Sequence, residues 1–337
     1  MPVRIAINGF GRIGRCAFKI ALENPEIEVV SINDLMPIET AAYLLKYDTA
    51  YGIYNKEVTT SEGSLIISGK KISYITEKEP QNLPWKNQNI DIVFECTGRF
   101  VKDGSAKVHI DAGARKVILS APAKGTGNIP TFLMGVNHES YLGQNIISNA
   151  SCTTNCIAPV LHVMHKNFGV TKSVMNTIHA TTNTEATVDG PPPGGGDDLR
   201  RGRSSGHNMI PTTTGAAIAA TQALPELSGC FDGTAVRVPV IVGSISDIVM
   251  VTKRKVTVEE VNEAFKKAAN DPYYKNVIAV SDKENLVSSD IIGNPFSSIV
   301  DLELTKVIDG DLVKIVSWYD NEWGYANRMI DMALHIA

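Results

Sequence analysis

Cys152 is the residue of this sequence best suited to covalent chemistry. It lies in the polar segment 148–155, where a loop is predicted to turn into a helix. Backbone amides and the positive end of the helix dipole at such a position favour a thiolate, which is the nucleophilic form of cysteine. The ordinary alternative is a small buried thiol, and Cys156, one turn further on, fits that description. The polar neighbours of Cys152 oppose it, so the sequence predicts a nucleophile here.

His179 is the histidine best placed to assist this nucleophile. It ends a predicted strand and opens the polar run 180–184. A catalytic thiol needs a base or an ion-pair partner, and an imidazole can supply either near neutral pH. The other six histidines are typical of ordinary positions. His162 and His165 lie three residues apart on a predicted helix, but no cysteine or carboxylate completes a metal-binding pattern with them, and we predict no metal site.

A glycine-rich turn near the N-terminus indicates a second kind of chemistry. The segment 9–14 reads Gly-Phe-Gly-Arg-Ile-Gly, which fits the dinucleotide-binding pattern G-x-G-x-x-G. Its glycines allow a tight turn, close approach of a diphosphate and packing of the helix on the strand. Asp34 ends the second predicted strand about 25 residues after Gly9, where a carboxylate would accept the ribose hydroxyls. Because that carboxylate would repel a 2′-phosphate, the sequence predicts NAD rather than NADP.

The first half of the chain has the pattern of an α/β domain. Alternating apolar residues from Val3 predict a strand, a helix runs on to Asn24 and Pro25, and a second strand covers 27–33. Further strands are predicted at 91–97 and 117–120, with a helix over 105–114 between them. This order predicts βαβ units and a parallel sheet.

The pattern changes near residue 150, where we place a domain boundary. Longer strands are predicted at 173–178, 234–238, 245–252 and 299–304, and these favour an α+β domain with a mixed or antiparallel sheet. Thr257 and Glu260 have the spacing of a capping box before a helix. The segment 190–196, with three prolines and then three glycines, predicts a long loop on the surface or at an interface. The last helix, 323–336, could return to pack on the first domain.

Composition excludes several functional classes. The chain has 337 residues, 43% of them hydrophobic, with 32 Lys and Arg against 36 Asp and Glu. A net charge of -4 gives no electrostatic reason to bind nucleic acid or an acidic membrane, and no apolar run is long enough to span a bilayer. The N-terminal segment lacks the shape of a signal peptide. Five scattered cysteines argue against a disulfide framework and for reduced thiols, so we expect a cytoplasmic protein.

Taken together, the motifs resemble those of the phosphorylating glyceraldehyde-3-phosphate dehydrogenases. The likeness extends over essentially the whole chain, in the family's order. The segments that carry it are 8–15 (Asn-Gly-Phe-Gly-Arg-Ile-Gly-Arg), 33–34 (Asn-Asp), 148–156 (Ser-Asn-Ala-Ser-Cys-Thr-Thr-Asn-Cys), 179–182 (His-Ala-Thr-Thr), 211–217 (Pro-Thr-Thr-Thr-Gly-Ala-Ala), 237–239 (Arg-Val-Pro) and 318–325 (Trp-Tyr-Asp-Asn-Glu-Trp-Gly-Tyr).

The resemblance implies a two-domain architecture. A Rossmann-type, parallel-sheet NAD domain would span residues 1–150 and be completed by a C-terminal helix in 319–337. An α+β domain with a mostly antiparallel sheet, 151–318, would carry catalysis and the contacts of a homotetramer. The resemblance also implies NAD-binding residues, namely Gly9, Phe10, Gly11, Arg12, Ile13, Gly14, Asn33, Asp34, Thr97, Ser120, Asn321 and Tyr325.

The resemblance further implies the reaction. Cys152 would attack the aldehyde of glyceraldehyde 3-phosphate with His179 as base, and inorganic phosphate would cleave the resulting thioester to give 1,3-bisphosphoglycerate. Thr182 and Arg237 would hold the substrate phosphate. Arg201 and Arg203 would either approach this anion site or only bridge subunits. The attacking phosphate would be held by Ser151, Thr153, Thr214 and Gly215, with Arg237 between the two sites. Arg203 is interpreted as structural.

Three alternatives remain open. A sister enzyme, erythrose-4-phosphate dehydrogenase, shares the cysteine segment, but Thr214 and Asp34 stand against it. An NADP-preferring paralogue is opposed chiefly by Asp34. The third alternative is a non-catalytic, redox-sensing NAD-binding protein in which the reactive thiol is the signal. The pairing of Cys152 with His179 opposes that interpretation.

Overall fold

A twisted, mostly parallel sheet organises the N-terminal half. The computed structural model describes residues 1–282 and 284–337. Within them, unit 1 comprises Met1–Leu133, His138–Ser151 and Ala326–Ala337. Up to residue 148, its elements are β1 (Val3–Asn8), α1 (Arg12–Glu23), β2 (Ile27–Asn33), α2 (Ile38–Lys46), β3 (Tyr47–Asp48), β4 (Gly52–Ile53), β5 (Val58–Ser61), β6 (Ser64–Ile67), β7 (Lys70–Ile75), β8 (Ile92–Glu95), α3 (Lys107–Asp111), β9 (Lys116–Leu119) and β10 (Ile146–Ser148).

The strand order of this sheet creates a crevice at its carboxyl edge. The order is β10-β9-β8-β1-β2-β7-β6-β5. All pairs from β10 to β7 are parallel, and β5, β6 and β7 pair antiparallel. Because the chain leaves β1 toward β2 on one side and adds β8 on the other, the two directions diverge beside β1. Ligands of open α/β sheets bind at such a switch point.

A buried carboxylate ties the strand ends at this point together. Glu95, at the end of β8, is fully buried. Its Oε2 accepts from Asn8 Nδ2 at 2.6 Å, and Asn8 Oδ1 accepts from Asn33 Nδ2 at 2.7 Å. His109 Nε2 lies 2.9 Å from the same Oε2, and the Nε1–H of Trp85 donates to His109 Nδ1 at 3.1 Å. Since an indole nitrogen can only donate, Nε2 carries the imidazole proton and donates it to Glu95.

A mostly antiparallel sheet organises the second unit. Unit 2 comprises Met134–Asn137 and Cys152–Tyr325. Among the described residues its elements are α4 (Cys152–Phe168), β11 (Val170–Ala180), β12 (Ile210–Thr213), α5 (Ala216–Ala223), β13 (Phe231–Val238), β14 (Ser244–Thr252), α6 (Val258–Asn270), β15 (Ile278–Ser281), β16 (Ser298–Asp301), β17 (Lys306–Ile308) and β18 (Leu312–Tyr319). A last helix, α7 (Trp323–Ile336), has its residues from Ala326 onward in unit 1.

In this sheet the order is β12-β13-β11-β14-β18-β16-β15, and β17 also pairs with β18. The pairs β11–β13 and β15–β16 are parallel, while the others in the described residues are antiparallel. Helix α4 packs against α5 and β14, and its apolar residues are buried. The predicted fold class, a Rossmann-type parallel-sheet domain followed by an α+β domain, is confirmed.

Local predictions mostly hold, with identifiable exceptions. Strand β2 and helix α7 have the predicted bounds, and the capping box is present, since Thr257 Oγ1 accepts from the amide of Glu260. The predicted strand over 299–304 is wrong in its second half, because a 3₁₀ turn replaces extended backbone at Leu302–Leu304. The segment 190–196 contains only a short 3₁₀ turn with no buried residue.

The β6–β7 hairpin has no predicted counterpart from the sequence. Its turn, Ser68 and Gly69, has φ of 46° and 84°. Two positive φ angles are the signature of a type I′ turn, whose twist matches that of the flanking strands. Serine is an unusual residue at such a position, so the turn lacks the Asn-Gly signal by which it could be found.

Removing the His109 imidazole tests the network around Glu95. We expect His109→Leu to lower the free energy of unfolding by about 3 kcal/mol, because a buried carboxylate loses a donor and Trp85 Nε1 loses its acceptor. Thermal and denaturant unfolding measure this. His207→Leu, at an exposed histidine, is the matched control, with an expected change under about 0.5 kcal/mol. Equal stabilities of the two variants would refute the structural role of the network.

Candidate active site and cofactor-binding turn

Cys152 and His179 lie together in unit 2. Cys152 is the first residue of α4 and is partly exposed. Its Sγ lies 3.5 Å from Nε2 of His179 and 4.0 Å from the Thr153 hydroxyl. The buried His179 side chain lies near the end of β11. A nucleophile within contact distance of a possible base is the arrangement that thiol catalysis requires.

The register of two parallel strands brings Arg237 to His179. In the β11–β13 pair, His179 is directly opposite Arg237. Arg237 Nη1 lies 2.7 Å from His179 Nδ1, and it donates to the Ala180 carbonyl at 3.0 Å. The carbonyl oxygen of Ala180 is itself 2.7 Å from Nδ1. Arginine can only donate and a carbonyl can only accept, so Nδ1 lies between one group of each kind, while Nε2 is the ring nitrogen that faces the thiol.

Both members of the pair are neutral in this environment. Burial and the neighbouring Arg237 charge lower the pKa of His179 to about 3. Burial raises the pKa of Cys152 above its usual value, although Arg237 and hydrogen bonds from Thr153 act in the opposite direction. Position at a helix N-terminus led us to expect a thiolate, and desolvation outweighs that effect here. The thiol proton must therefore leave during attack, and Nε2 of His179 is placed to take it.

Tyr319 is a part of the site for which no role was predicted from the sequence. It ends β18, is buried, and its hydroxyl lies 2.9 Å from the hydroxyl of Thr153 and 2.8 Å from that of Thr177. Its ring packs edge-on against the His179 imidazole, with centroids 6.0 Å apart. Burial raises the pKa of Tyr319, so the phenol stays protonated. It holds both the helix start and the imidazole in position.

A cluster of anion-binding groups follows His179 along the chain. Thr182 is partly buried, and the guanidinium groups of Arg201 and Arg237 converge on one carboxylate, that of Glu185. Arg201 also donates to the hydroxyls of Thr184 and Thr212, at 2.7 and 3.1 Å. Three of the residues expected to bind the substrate phosphate therefore lie in contact with Glu185. No local pattern marks this carboxylate in the sequence, because its partners Arg201 and Arg237 lie far along the chain.

The residues expected to bind the attacking phosphate begin two helices. Ser151 immediately precedes α4, and Thr153 lies in its first turn. Thr214 Oγ1 accepts from the amide of Ala216, and Gly215 is the N-cap of α5. A Cβ on Gly215 would meet no atom of the described chain within 4 Å, so the backbone there is open to a ligand. Two helix starts with hydroxyl side chains suit an anion.

Asn321 is held from the same region of unit 2. It is buried, and its Oδ1 accepts from Ser244 Oγ at 3.0 Å and from the amide of Gly243 at 3.2 Å. Ser244 Oγ in turn accepts from the amide of Ala180, next to His179. The side-chain oxygen is thus engaged by protein, which orients the amide nitrogen away from these donors. Tyr325, at the start of α7, is also buried.

In unit 1 each glycine of the 9–14 turn has the surroundings that the motif predicts. Gly9 has φ of 98°, and a Cβ there would lie 2.7 Å from the amide nitrogen of Thr97. A Cβ on Gly14 would lie 2.1 Å from the carbonyl oxygen of Gly9, so α1 packs directly on the turn. A Cβ on Gly11 would meet nothing within 4 Å in the described chain. Side chains are excluded at two positions by protein, and at Gly11 space is left open.

The other residues of the turn contribute through their backbone. Phe10 is fully buried against Phe18, with ring centroids 5.4 Å apart, so its side chain belongs to the core. The Arg12 guanidinium pairs with Asp48 at 2.7 Å. Ile13 is half-buried, and the N-cap of α1 is Gly11, which has no side chain. The first turn of this 12-residue helix would therefore meet a ligand through main-chain groups.

The residues at the strand ends surround this turn. Asp34 accepts from the amide of Phe10 at 2.6 Å and from that of Met36 at 2.9 Å. Asn33 is buried and bonded to Asn8 and to the backbone of Glu77. Thr97 donates its hydroxyl and its amide to the Glu95 carboxylate. The amide of Ser120 donates to the backbone carbonyl of Glu95. The donor and acceptor set fits a dinucleotide, with main-chain amides for the diphosphate and a carboxylate for the ribose.

The remaining thiols and histidines named from the sequence have structural partners. Cys156 is fully buried, as predicted, and desolvation raises its pKa to about 12. His162 contacts the Gly135 carbonyl and the hydroxyl of Tyr274, and His165 accepts from the amide of Val170.

No group of three or more His, Cys, Asp or Glu side chains in residues 1–282 and 284–337 could hold a metal ion. Within the same part of the chain, no helix is both long and apolar enough to cross a membrane.

Comparisons with known proteins agree with the geometry of both units. Residues 3–103 match the family model of the glyceraldehyde 3-phosphate dehydrogenase NAD binding domain, and residues 151–321 match that of the C-terminal domain. The chain is 48% identical to glyceraldehyde-3-phosphate dehydrogenases of Streptomyces coelicolor and Geobacillus stearothermophilus, with 100% of this chain and 99% of each relative covered. A relative of the same name from Colletotrichum lindemuthianum is 44% identical, with 100% and 98% covered. The chain therefore belongs to the glyceraldehyde-3-phosphate dehydrogenase family.

Proposed function

We propose that this protein oxidises and phosphorylates glyceraldehyde 3-phosphate to 1,3-bisphosphoglycerate, with NAD and inorganic phosphate, as a step of glycolysis and gluconeogenesis. The observation that carries the proposal is the 3.5 Å contact between the Cys152 thiol and Nε2 of His179. Membership of the family supports the same reaction, since relatives that cover the whole chain bear its name.

The chemistry begins with attack of Cys152 sulfur on the aldehyde carbon. A C–S bond forms, the carbonyl oxygen becomes a hydroxyl, and the thiol proton is relayed through His179 Nε2 to give a thiohemiacetal. His179 then takes the hydroxyl proton as hydride leaves the same carbon, which yields a thioester. NAD, when bound, supplies the hydride acceptor for this step. Because burial and the Arg237 charge lower its pKa, the imidazole is neutral before the thiol attacks.

The second half of the reaction transfers the acyl group to phosphate. An oxygen of inorganic phosphate attacks the thioester carbon, the C–S bond breaks, and the departing sulfur recovers a proton from His179. Thr182, Arg201 and Arg237 would hold the phosphate of the substrate. The attacking phosphate would be held by Ser151, Thr153, Thr214 and Gly215. Hydroxyls, backbone amides and planar guanidinium groups are the donors that phosphoryl oxygens require.

Recognition of NAD is proposed for the glycine turn of unit 1. The open space beside Gly11 and the main-chain groups of the first turn of α1 support binding of the diphosphate there. Asp34 would accept the ribose hydroxyls and would repel a 2′-phosphate. Asn321 would orient the nicotinamide amide. The remaining proposed contacts are Gly9, Phe10, Arg12, Ile13, Gly14, Asn33, Thr97, Ser120 and Tyr325.

A cytoplasmic homotetramer is the proposed assembly and location, with residues 1–150 and the C-terminal helix as NAD domain and 151–318 as the catalytic, tetramer-forming domain. Large apolar side chains on the surface of unit 2, among them Val188, Leu199 and Met209, are more than two-thirds exposed and support self-association. All five cysteines are free thiols, which supports a reducing compartment.

Replacing the nucleophile separates enzyme from binding protein. We expect Cys152→Ser to abolish phosphate-dependent formation of NADH from glyceraldehyde 3-phosphate while NAD binds as tightly as to the wild type, because a hydroxyl is a far weaker nucleophile. Absorbance of NADH and calorimetric titration with NAD measure the two properties. Cys230→Ser, at an exposed thiol outside the site, is the control and should retain activity. Retained turnover in Cys152→Ser would refute the mechanism.

Removing the base has a distinct signature. We expect His179→Gln to lower kcat about 10²- to 10³-fold, since the thiol proton loses its acceptor. His207→Gln is the control for the kcat measurement. Equal kcat values in His179→Gln and His207→Gln would contradict the assignment of His179 as the base.

The raised pKa of Cys152 can be tested in the wild-type protein without substrate. The rate at which iodoacetamide alkylates Cys152 should still increase at pH values above the usual thiol pKa, because the raised pKa keeps the thiol protonated near neutrality. Stopped assays of alkylation against pH measure this.

Two alanine substitutions distinguish ligand space from packing space in the glycine turn. We expect Gly11→Ala to weaken NAD binding at least about tenfold with little change in melting temperature, because its methyl group enters open space proposed for the diphosphate. Gly14→Ala should instead destabilise the protein by about 1–3 kcal/mol through overlap with the turn. Calorimetry and thermal unfolding measure both. Wild-type NAD affinity in Gly11→Ala would mean that the diphosphate binds elsewhere.

A further inference from the structure

Glu185 is a buried carboxylate in the middle of the groups proposed to bind the substrate phosphate. Its side chain has no exposed surface. Oε2 accepts from the amide of Thr182 at 3.0 Å and from its hydroxyl at 3.2 Å. Oε1 accepts from the Thr184 hydroxyl at 2.7 Å and from Arg201 Nη1 at 3.3 Å. Nε of Arg237 lies 3.6 Å from the same Oε1.

These contacts resemble those that a phosphate group would make. Two arginines, two hydroxyls and a backbone amide converge on the oxygens of one anion, which is the donor set used for phosphoryl oxygens. The Nε of Arg237 is buried and makes no hydrogen bond within the described residues, so this donor is incompletely satisfied by the carboxylate. A group with more oxygens than a carboxylate could satisfy it.

We propose that Glu185 is a specificity-determining residue, an internal anion that competes with the substrate phosphate for Thr182, Arg201 and Arg237 and so sets the affinity for phosphorylated substrate. The proposal rests on the proposed function for the identity of that substrate.

Charge is the physical basis of this competition. The two guanidinium groups carry two positive charges, and Glu185, whose side chain has no exposed surface, cancels one of them. A phosphate that enters must either share the arginines with the carboxylate or displace it, and repulsion between two anions a few ångströms apart is strong where water is excluded. An unphosphorylated aldehyde does not need the two arginines. Glu185 therefore reduces the difference in affinity between the phosphorylated substrate and an unphosphorylated one.

The contact extends to the catalytic base. Arg237 reaches Glu185 through Nε and His179 through Nη1. Glu185 itself contacts neither the Cys152 thiol nor the His179 ring. Removing the carboxylate should therefore alter KM far more than kcat.

The test compares Glu185→Gln with the wild type on phosphorylated and unphosphorylated compounds. We expect the variant to bind glycerol 3-phosphate, in calorimetric titration, about tenfold more tightly, and KM for glyceraldehyde 3-phosphate to fall by a similar factor with kcat changed less than about twofold. The kcat/KM for unphosphorylated glyceraldehyde should stay the same. Asp189→Asn is the matched control, because it removes one negative charge from an exposed pair with Arg203 close by in the sequence.

Several outcomes would overturn the proposal. Unchanged or weaker binding of glycerol 3-phosphate to Glu185→Gln would show that the carboxylate orders the arginines and does not compete. An equal change with unphosphorylated glyceraldehyde, or in Asp189→Asn, would show a general effect. If Glu185→Gln unfolds, Glu185→Ala is the second variant. It also removes the negative charge, and its affinity for glycerol 3-phosphate tests the same competition. Because calorimetry needs no turnover, a wild-type protein inactive on glyceraldehyde 3-phosphate would refute the proposed function without deciding the competition.

Discussion

The pairing of β11 with β13 is the constraint on which the chemistry of unit 2 depends. In that register His179 stands opposite Arg237, and a shift of one residue would turn either side chain to the other face of the sheet. Arg237 then acts on three groups at once. It helps to hold the pKa of the imidazole low, it favours ionisation of Cys152 against the effect of burial, and it pairs with Glu185. One backbone register thus sets both protonation states and the charge of the anion site.

Unit 1 depends on a comparable buried group, Glu95. Its carboxylate joins the ends of β1 and β8 and, through Asn8, that of β2. A carboxylate removed from water costs several kcal/mol unless donors replace the lost hydration, and Asn8, Thr97 and His109 supply them. Hydrogen bonds therefore join the strand ends at the carboxyl edge of the parallel sheet, where the dinucleotide-binding turn begins.

The carboxylates of Glu95 and Glu185 are both buried and both stabilised by hydrogen-bond donors, but the nature of these donors differs. Glu95 is surrounded by neutral donors and serves the fold. Glu185 is surrounded by cations and hydroxyls that have a second use as phosphate ligands, so its stabilisation and the binding of substrate draw on the same groups. Burial alone does not separate a structural carboxylate from a functional one, whereas the nature of its partners does.

Much of this protein could be predicted from local sequence, because the signals concerned are local. Glycine spacing, the alternation of apolar residues, a capping box and the position of Cys152 before a helix each depend on a few neighbouring residues, and each predicts its element or group. The β6–β7 hairpin could not be predicted in this way, because Ser68 stands in its turn where Asn or Asp would be the usual signal. The tertiary structure alone decided that burial raises the pKa of Cys152, that Tyr319 packs on His179, and that Glu185 pairs with Arg201 and Arg237. Desolvation and long-range charge pairs depend on which distant segments meet, and no short stretch of sequence records that.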